Sequence, residues 1–370
     1  MNHGWEIRPL QDICNKASSN LMQKNIDSEN GKYPVFGASG IAGYIDYYVQ
    51  AKDYIGIIKD GSGVGRVSVY PKESSLLGTL QYIIPNENMD LRYVAYALKS
   101  MNLAKYVSGA AIPHIYFRDY GEEKIAVPSI KTQSKVADEL DKLNELIEIK
   151  RNQIKDLDAL AQSLFYETFG EPIAPPKGWN TKVWSDLFDT ILGKMLDKNK
   201  QIETDIQLPY LANQNVQWGY FDLSKLNTMS FTQNEVAKFR LKEGDILICE
   251  GGESGRCAIW KGADYTILFQ KAIHRARIKD RNIINPYFVR FWLEIFKKND
   301  GLKNHLTKAT IEHLTGAKLK TVNVPVPPIA LQEQFAARIE AIEAQKKLVE
   351  ASIADLETLL ASRMDYWFND

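Results

Sequence analysis

The sequence has few of the features that identify secreted, membrane-bound or metal-binding proteins. Its three cysteines, Cys14, Cys249 and Cys257, form no Cys-x-x-Cys pair, so they predict neither a disulfide framework nor a zinc site, and we interpret them as structural thiols. No run of about eighteen apolar residues is present, and the first residues lack the basic-then-apolar layout of a signal peptide. We therefore expect a cytoplasmic protein without a membrane-spanning segment.

The chain also lacks net charge, which at first argues against a nucleic-acid ligand. Its 46 acidic side chains equal its basic ones in number, but residues 132–171 and 331–370 carry an excess of acidic over basic residues. Those segments hold nine acidic against five basic residues and eight against four, so the rest of the chain has a surplus of eight positive charges. Phosphate binding requires such a local positive surface. The charge distribution is therefore compatible with DNA binding.

Motifs of the common nucleic-acid enzymes are missing as well. Asn285-Pro286-Tyr287-Phe288 approaches the D/N-P-P-Y/F loop of amino-methyltransferases but lacks its second proline, and we interpret it as a helix start. Residues 61–65 lack the spacing of a phosphate-binding loop and precede a predicted strand, which favours a hairpin turn. No P-loop lysine pattern and no carboxylate cluster with nuclease spacing occurs. We predict no catalytic residue, no metal site and no cofactor.

What the sequence does contain is an internal repeat. The matching segments are Gly4-Trp5 and Gly178-Trp179, Gly65-Arg66 and Gly255-Arg256, Ala110–Ile115 and Ala309–Leu314, Val127-Pro128 and Val326-Pro327, and Gln133 and Gln332. The offset between the copies grows from 174 to 199 residues and is constant from Ala110 onward. A constant register indicates an element that tolerates no insertion, such as a long helix. Two copies indicate a duplication rather than a solenoid.

Each copy ends in a predicted long helix, residues 132–171 and 331–370. Proline precedes each segment, and apolar residues then recur at alternating steps of four and three. The seam residues are Val136, Leu140, Leu143, Ile147, Ile154, Leu157, Ala161 and Leu164, and Phe335, Ile339, Ile342, Val349, Ile353, Leu356 and Leu360. This pattern favours an antiparallel coiled coil with helices about 55 Å long. The alternative is that each helix packs on its own domain as a core element.

The remaining segments, residues 1–131 and 172–330, are predicted to be globular domains. Strand-turn-strand patterns occur at Tyr54–Tyr70 and Asp245–Trp260, and a helix is predicted after each, at Leu91–Lys105 and Pro286–Lys298. We therefore predict an α+β fold in which two mixed α/β domains are separated by two long antiparallel helices. The internal duplication predicts a pseudo-twofold relation between the two halves.

The order of these motifs resembles the specificity subunit of type I restriction-modification enzymes. The resemblance rests on the Gly-Trp start, the Asp60–Arg66 turn, the short segment ending in His114 or His313, and the Val-Pro step into a glutamine and a long helix. The resemblance spans essentially the whole chain. The Val-Pro segment that leads into the long helix matches the family best in the second copy, at Val324–Gln334. The first copy departs from it, with Ser129 in place of the second proline and Lys131–Ser134 after it.

The resemblance implies a non-catalytic DNA-binding subunit. Residues 1–131 and 172–330 would be target recognition domains, each of which reads half of a split sequence in double-stranded DNA. The helices, residues 132–171 and 331–370, would set the gap between the half-sites, at most about 16 base pairs at 3.4 Å each. They would also dock two methyltransferase subunits, which recruit the nuclease-translocase subunits. Adenine methylation and DNA cleavage would belong to those partners.

Polar and aromatic residues near the glycine turns are the candidate DNA contacts. They are Tyr47, Tyr48, Lys59, Arg66, Lys72 and His114 in the first copy, and Gln214, Asn215, Gln217, Trp218, Arg256, Lys271, Arg275 and His313 in the second. The repeated arginines, Arg66 and Arg256, could reach guanine or phosphate, and a surface salt bridge is the alternative role for each. A structural role is an alternative for both histidines.

Two other function classes remain open at this point. A coiled-coil scaffold with two protein-binding modules would also explain the zero net charge, but it would bind DNA weakly and without sequence preference. A self-sufficient nuclease or methyltransferase would require a catalytic motif, which the sequence lacks.

Overall fold

The computed structural model describes residues 4–26, 31–109, 112–173, 178–195, 206–262, 266–308 and 312–369. The repeated residues Ala110, Ala111 and Ala309–Ile311 lie outside these ranges. The chain divides into two compact units, each of which contains one globular domain and parts of both long helices. Unit 1 consists of Met1–Asn152 and Glu350–Asp370, and unit 2 of Gln153–Val349.

Unit 1 contains nine strands, three short helices and parts of two long ones within its described residues. Its elements are β1 (Glu6–Pro9), α1 (Leu10–Ile13), β2 (Cys14–Ser18), β3 (Tyr33–Gly37), β4 (Gly40–Ile45), β5 (Tyr54–Ile58), β6 (Val67–Tyr70), β7 (Ser75–Leu76), β8 (Leu80–Pro85), α2 (Leu91–Ser100), α3 (Phe117–Tyr120), β9 (Lys124–Val127) and the long α4 (Ile130–Phe169), which continues into unit 2. Its sheets have the strand orders β2-β8-β5-β6, β4-β3-β7 and β1-β9.

Unit 2 repeats this organisation and adds three short elements. Its elements are β10 (Asn180–Val183), α5 (Trp184–Leu187), β11 (Phe188–Leu192), β12 (Ile206–Leu211), β13 (Asn227–Phe231), α6 (Gln233–Phe239), β14 (Ile246–Cys249), β15 (Cys257–Ile259), β16 (Leu268–Phe269), β17 (Ile273–Ile278), α7 (Pro286–Lys298), β18 (Thr307–Lys308), β19 (Glu312–His313), α8 (Gly316–Leu319), β20 (Asn323–Val326) and the long α9 (Ile329–Phe368), which continues into unit 1. The orders β11-β17-β14-β15, β13-β12-β16 and β10-β20 match those of unit 1 strand for strand.

The predicted hairpins and helix starts agree with these elements. β5 pairs antiparallel with β6, and β14 with β15, so both glycine-rich segments are hairpin turns. The proline segment at 285–288 is a helix start, because the Asn285 side chain accepts a hydrogen bond from the Tyr287 N–H at the beginning of α7. The helix predicted over Leu91–Lys105 is shorter in the structure than in the prediction. Its observed counterpart α2 ends at Ser100, and a 3₁₀ turn, Leu103–Tyr106, follows.

A buried glutamine joins each long helix to the globular domain that precedes it. In unit 1 the Gln133 side chain accepts from the Asp90 N–H (2.9 Å) and donates to the Pro128 carbonyl (2.9 Å). In unit 2 the Gln332 side chain accepts from the Asn285 N–H (2.9 Å) and donates to the Pro327 (2.7 Å) and Ile283 (3.1 Å) carbonyls. Both side chains are almost completely buried. The start of each long helix is therefore fixed to the start of α2 or α7 and to the preceding strand.

Both long helices contribute to the core of each unit. In unit 1 Arg363 near the end of α9 pairs with Glu139 in the first part of α4, and Arg151 pairs with Glu357 (2.8 Å). These exposed or half-exposed pairs stabilise little, whereas the seam residues Val136 and Leu140 are buried. In unit 2 the later part of α4 supplies buried Ala161, Leu164, Phe165 and Phe169, and α9 supplies buried Phe335, Ala336, Ile339 and Val349.

The repeated Gly-Trp segment packs on the aromatic end of a long helix. In unit 1 the Trp5 ring stacks on Trp367 at the end of α9, with 5.8 Å between ring centroids. In unit 2 the Trp179 ring meets Phe169 at the end of α4, at 6.0 Å. Phe368 and Phe169 in turn contact Tyr93 (5.2 Å) and Phe288 (4.8 Å) on α2 and α7. Each globular domain therefore completes its core with the end of the other repeat's helix.

The three cysteines fit the interpretation of structural thiols. All are buried, and burial raises the pKa of Cys14 to about 12 and the pKa of Cys249 to about 11, and also raises the pKa of Cys257. Their thiols are therefore protonated near neutral pH and unreactive. In the described part of the chain no helix is long and apolar enough to cross a membrane.

We expect the glutamine at the helix start to contribute strongly to stability. Replacing Gln332→Leu would keep the approximate volume but leave buried main-chain groups of Asn285, Pro327 and Ile283 without partners. The free energy of unfolding should fall by roughly 2–4 kcal/mol, measured by equilibrium urea unfolding. Gln334→Leu at an exposed position of α9 is the matched control and should change it by less than about 0.5 kcal/mol. An equal loss in both variants would contradict this role for Gln332.

Candidate nucleic-acid interface

The glycine turn of unit 1, residues 59–66, lies at one end of the four-stranded sheet, which we call the turn end. The Gly65 N–H donates to the Ile58 carbonyl (2.8 Å), and the Ile58 N–H donates to the Arg66 carbonyl (3.0 Å). Gly61, Gly63 and Gly65 have φ of 85°, 82° and 87°, a region that side chains other than glycine rarely adopt. The glycines are thus required by the path of the main chain, and a strand rather than a helix follows them.

Unit 2 has the same turn with one residue fewer, at residues 250–256. The Gly255 N–H donates to the Cys249 carbonyl (3.0 Å), and the Cys249 N–H donates to the Arg256 carbonyl (2.8 Å). Gly252 and Gly255 have positive φ, as in unit 1. The main-chain frame is therefore shared, while the side chains that it carries differ.

The repeated histidines lie beside these turns. In unit 1 the Ile115 N–H donates to the Lys59 carbonyl (2.9 Å), which places His114 against the turn. In unit 2 the Leu314 N–H donates to the Glu250 carbonyl (2.7 Å), and the His313 ring covers Gly251 so closely that a Cβ there would lie 2.9 Å from it. Lys59 and Glu250 thus occupy the same place with opposite charge. A DNA-contacting role for the two histidines stays a prediction.

Both repeated arginines bind main-chain carbonyls of their own unit. Arg66 donates to the Ala38 carbonyl just after β3, and Arg256 donates to the Asn213 carbonyl (2.9 Å) just after β12. Since β3 and β12 are equivalent strands, the two contacts are equivalent. Arg256 also pairs with Glu253 (3.2 Å) and its side chain is only 17% exposed, whereas Arg66 is exposed. These contacts indicate that the arginines hold the glycine turn against the neighbouring loop.

Most candidates in unit 2 lie together at the turn end. The Trp218 indole N–H donates to Glu253 (2.5 Å), and the Asn213 amide donates to the Gly251 carbonyl (3.0 Å), so the 213–218 segment borders the turn. Lys271 belongs to the same region, because the residue that follows it, Ala272, accepts a hydrogen bond through its carbonyl from the Glu250 N–H of the turn (2.9 Å). The candidates that the structure brings together are Gln214, Gln217, Trp218, Arg256, Lys271 and His313.

The candidates in unit 1 fall into two groups. Lys59, Arg66 and His114 lie at the turn end, where Lys59 pairs with Asp60 (2.9 Å). The other group, Tyr47, Tyr48 and Lys72, lies at the opposite end of the β5–β6 hairpin. That end is formed by the paired residues Tyr54 and Tyr70. The two tyrosines of the group precede Tyr54 in sequence, and Lys72 follows Tyr70. All three are exposed, and the Tyr48 ring contacts Tyr33 (4.9 Å). These two groups belong to different surfaces of the unit.

Two candidates must be corrected, Asn215 and Arg275. The Asn215 side chain is buried, donates to the carbonyls of Asp222 (2.9 Å) and Lys225 (3.0 Å), and accepts from the Ala212 N–H (2.9 Å). Arg275 in β17 is also buried and pairs with Asp189 of the neighbouring β11 (2.7 Å), and burial lowers its pKa. Both side chains are buried and bond partners inside the protein, Arg275 through its two terminal nitrogens, so both are removed from the candidate DNA contacts.

Sequence reasoning missed several residues that position the turn ends. Asn213 and Glu253 connect the unit 2 turn to the 213–218 segment, as described above. His274 in β17 is buried, and its Nε2 lies 2.8 Å from the Leu314 carbonyl, which accepts its proton; burial lowers the pKa of His274, so the ring is neutral. At the equivalent position of β8, Gln81 accepts from the Tyr120 hydroxyl (2.9 Å). For Gln81 the available signal was a polar residue inside a largely apolar strand; β17 also contains Arg275 and Arg277 and gives no such signal for His274.

The histidine, cysteine and carboxylate side chains of the described residues form no group of three that could bind a metal ion. At the turn ends Lys59 pairs with Asp60 and Arg256 with Glu253, and both repeated arginines donate to main-chain carbonyls. This arrangement suits positioning of polar side chains at a surface, and the two turn ends present different sets of them.

Comparison with known proteins gives one consistent family. The family model described as the type I restriction modification DNA specificity domain matches the chain twice, over residues 2–159 and 176–358. The type I restriction enzyme MjaVIII specificity subunit of Methanocaldococcus jannaschii is 23% identical over 375 residues, covering 92% of this chain and 86% of that protein. A putative type I restriction enzyme specificity subunit of Haemophilus influenzae is 23% identical over 359 residues, covering 91% and 87%.

Solved structures share the fold. A crystal structure of the type I restriction-modification S subunit from M. genitalium matches with a TM-score of 0.62 at 18% identity, covering 100% of this chain and 97% of the other. A structure from work on assembly and conformational transition of the type I R-M system gives 0.61 at 16% identity, covering 98% and 97%.

The corrected role of Asn215 can be separated from surface roles by comparing it with its neighbour. Asn215→Ala would remove the three hydrogen bonds that the buried side chain makes to main-chain groups of Ala212, Asp222 and Lys225 and should lower the free energy of unfolding by roughly 2–4 kcal/mol. Gln214→Ala, at an exposed position, should change it by less than about 0.5 kcal/mol. Urea unfolding of both purified variants checks this, and an unchanged stability in Asn215→Ala would return that residue to the DNA-contact candidates.

Proposed function

Because this chain belongs to the family of type I restriction-modification DNA specificity subunits, we propose that each of its units reads one half of a split target in double-stranded DNA. The observation that carries the proposal is the pair of turn ends: one main-chain frame occurs in both units and carries different side chains in each. Base sequence is read by side chains at groove edges, whereas contacts to the DNA backbone carry no sequence information directly. Two equivalent frames with different side chains would read two different half-sites.

The DNA-facing residues of this proposal are those at the turn ends. In unit 1 they are Lys59, Arg66 and His114, and in unit 2 they are Gln214, Gln217, Trp218, Arg256, Lys271 and His313. Lys59 and Glu250 occupy one place with opposite charge, which favours different base or phosphate contacts in the two units. Tyr47, Tyr48 and Lys72 form a separate surface and would contact DNA only where it extends beyond the half-site.

Catalysis belongs to partner subunits in this proposal. The chain supplies recognition, and it acts in the cytoplasm with two methyltransferase subunits, which methylate the target and recruit the nuclease-translocase subunits. The segments that we assign to recognition are residues 1–131 and 172–330, and the docking segments are the long helices. The scaffold alternative keeps the helices but predicts that DNA retention is weak and independent of sequence.

We further propose that α4 and α9 pair along their lengths as an antiparallel coiled coil with pseudo-twofold symmetry. Within unit 1 the first part of α4 lies against the last part of α9, through Arg363 and Glu139. Within unit 2 the last part of α4 lies against the first part of α9, through the Phe165 and Phe335 rings (5.9 Å). Such a pair would fix the gap between the half-sites.

The proposal is tested by co-expressing the chain with the methyltransferase subunit encoded beside it and mapping methylated positions across the host DNA. We expect a split motif with two fixed half-sites and a constant gap. Replacing residues 1–129 with the corresponding segment of another specificity subunit should change one half-site only. Both long helices stay intact, and the bonds of Gln133 to that segment are to main-chain atoms apart from one long contact with the Met89 sulfur (3.7 Å). Methylation that does not depend on this chain would support the scaffold alternative.

The gap is expected to follow helix length. Adding one heptad to α4 after Asn152 and one to α9 after Val349 keeps the apolar seam in register and lengthens each helix by about 10 Å. The same methylation map should then show unchanged half-sites and a gap about three base pairs longer, at about 3.4 Å per pair. A heptad of the same composition inserted in α9 alone is the control and should abolish methylation. An unchanged gap in the double insertion would contradict the spacing role.

A further inference from the structure

One short segment of unit 1 carries three partly or fully exposed side chains that contact one another in a row. We call this row of His114, Tyr116 and Arg118 the ladder. The His114 ring lies 4.8 Å from the Tyr116 ring in an edge contact, and the Arg118 guanidinium lies over the same tyrosine ring at 4.7 Å from its centroid. Tyr116 is 45% exposed and the Arg118 side chain 76%. The intervening Ile115 and Phe117 are buried, so successive residues alternate between the core and the surface.

The main chain fixes this ladder to the turn end. The Ile115 N–H donates to the Lys59 carbonyl (2.9 Å), and the Gly61 N–H donates to the Pro113 carbonyl (2.8 Å). The following helix α3 begins at Phe117, whose side chain is anchored in the core. The positions of Tyr116 and Arg118 beside the glycine turn are therefore set by the backbone and by buried neighbours, not by their own exposed side chains.

Unit 2 has the same backbone contact but no ladder. There the Leu314 N–H bonds the Glu250 carbonyl, and at the constant offset of 199 residues Thr315 and Ala317 stand where unit 1 has Tyr116 and Arg118. Residues that hold the common frame are repeated in both copies, as Gln133 and Gln332 are. Since the ladder is not repeated, the frame does not require it, and it is a feature specific to unit 1.

The contacts of Arg118 leave its guanidinium available for a ligand. Its one ion pair, to the adjacent Asp119 (3.4 Å), is exposed and contributes little. Stacking on an aromatic face orients the guanidinium plane while its N–H groups stay free. A planar guanidinium pairs in a bidentate manner with O6 and N7 of guanine, the commonest specific contact in the major groove.

We propose that Arg118, positioned by Tyr116, reads a guanine in the half-site that unit 1 recognises. This inference rests on the proposed function and adds a base-reading residue to it. Tyr116 acts as a positioning residue, because its ring orients the arginine.

The test uses the full chain in complex with its methyltransferase subunit and a DNA library in which both half-sites are randomised. The unit 1 half-site is the one that changes when residues 1–129 are replaced, and in the unaltered complex it should contain a required guanine. In Arg118→Ala and Arg118→Lys, discrimination at that position should fall roughly 5- to 150-fold, with the other half-site unchanged. Arg118→Lys keeps the positive charge but loses the planar guanidinium that makes the bidentate contact, so it should retain more overall methylation than Arg118→Ala. Tyr116→Leu should give a smaller loss at the same position.

The control variant is Lys124→Ala, which removes an exposed cation from β9 of the same unit and should leave both half-sites unchanged. Arg118 is exposed, so its variants should keep the thermal unfolding midpoint of the unaltered chain. A uniform loss of methylation on all sequences, with a weaker salt dependence of binding, would identify a phosphate contact and overturn the proposal; an unchanged sequence preference would also overturn it. If the unaltered complex shows no split-site methylation at all, the proposed function itself fails, which distinguishes the two.

Discussion

One buried hydrogen-bonding side chain at the start of each long helix connects recognition to the rest of the molecule. Gln133 and Gln332 each accept from the N–H of the residue that caps α2 or α7, and each donate to the carbonyl of the proline between the preceding strand and the long helix. All of these partners are main-chain groups. Because these short bonds use main-chain atoms, and the side-chain contact of Gln133 is a long one with the Met89 sulfur (3.7 Å), the recognition domain can differ in sequence while its junction with the helix stays the same.

The turn ends follow the same division between a common main chain and differing side chains. Each glycine turn is closed by equivalent main-chain hydrogen bonds and held by an arginine that donates to a carbonyl after β3 or β12. On this frame unit 1 carries Lys59 and unit 2 carries Glu250. The repeated arginines therefore belong to the frame, and the differences that would distinguish two half-sites lie in the residues around it.

The long-range plan was predictable from local sequence, whereas the roles of single polar residues were not. Prolines at 128 and 327, the apolar seam and the glycine turns determine helix starts and hairpins through short-range geometry, and the structure has them at those places. The partner of Arg275 is Asp189, 86 residues away, and Asn215 is buried and bonds main-chain groups of Ala212, Asp222 and Lys225. No local pattern reveals such burial. The repeat itself gave one usable signal, because the glutamine repeated in both copies, Gln133 and Gln332, makes equivalent buried bonds in both units.

The exchange of helix ends between the repeats affects the order in which the chain can fold during synthesis. Residues 153–349 of unit 2 are contiguous, so that unit has all of its core residues once they have left the ribosome. Unit 1 is assembled from residues 1–152 and from Leu360, Met364, Trp367 and Phe368, which are made after unit 2 is complete. Domains usually fold in the order of synthesis. Here the domain made first is the last to close its core, and until then its apolar helix-binding surface is available to chaperones.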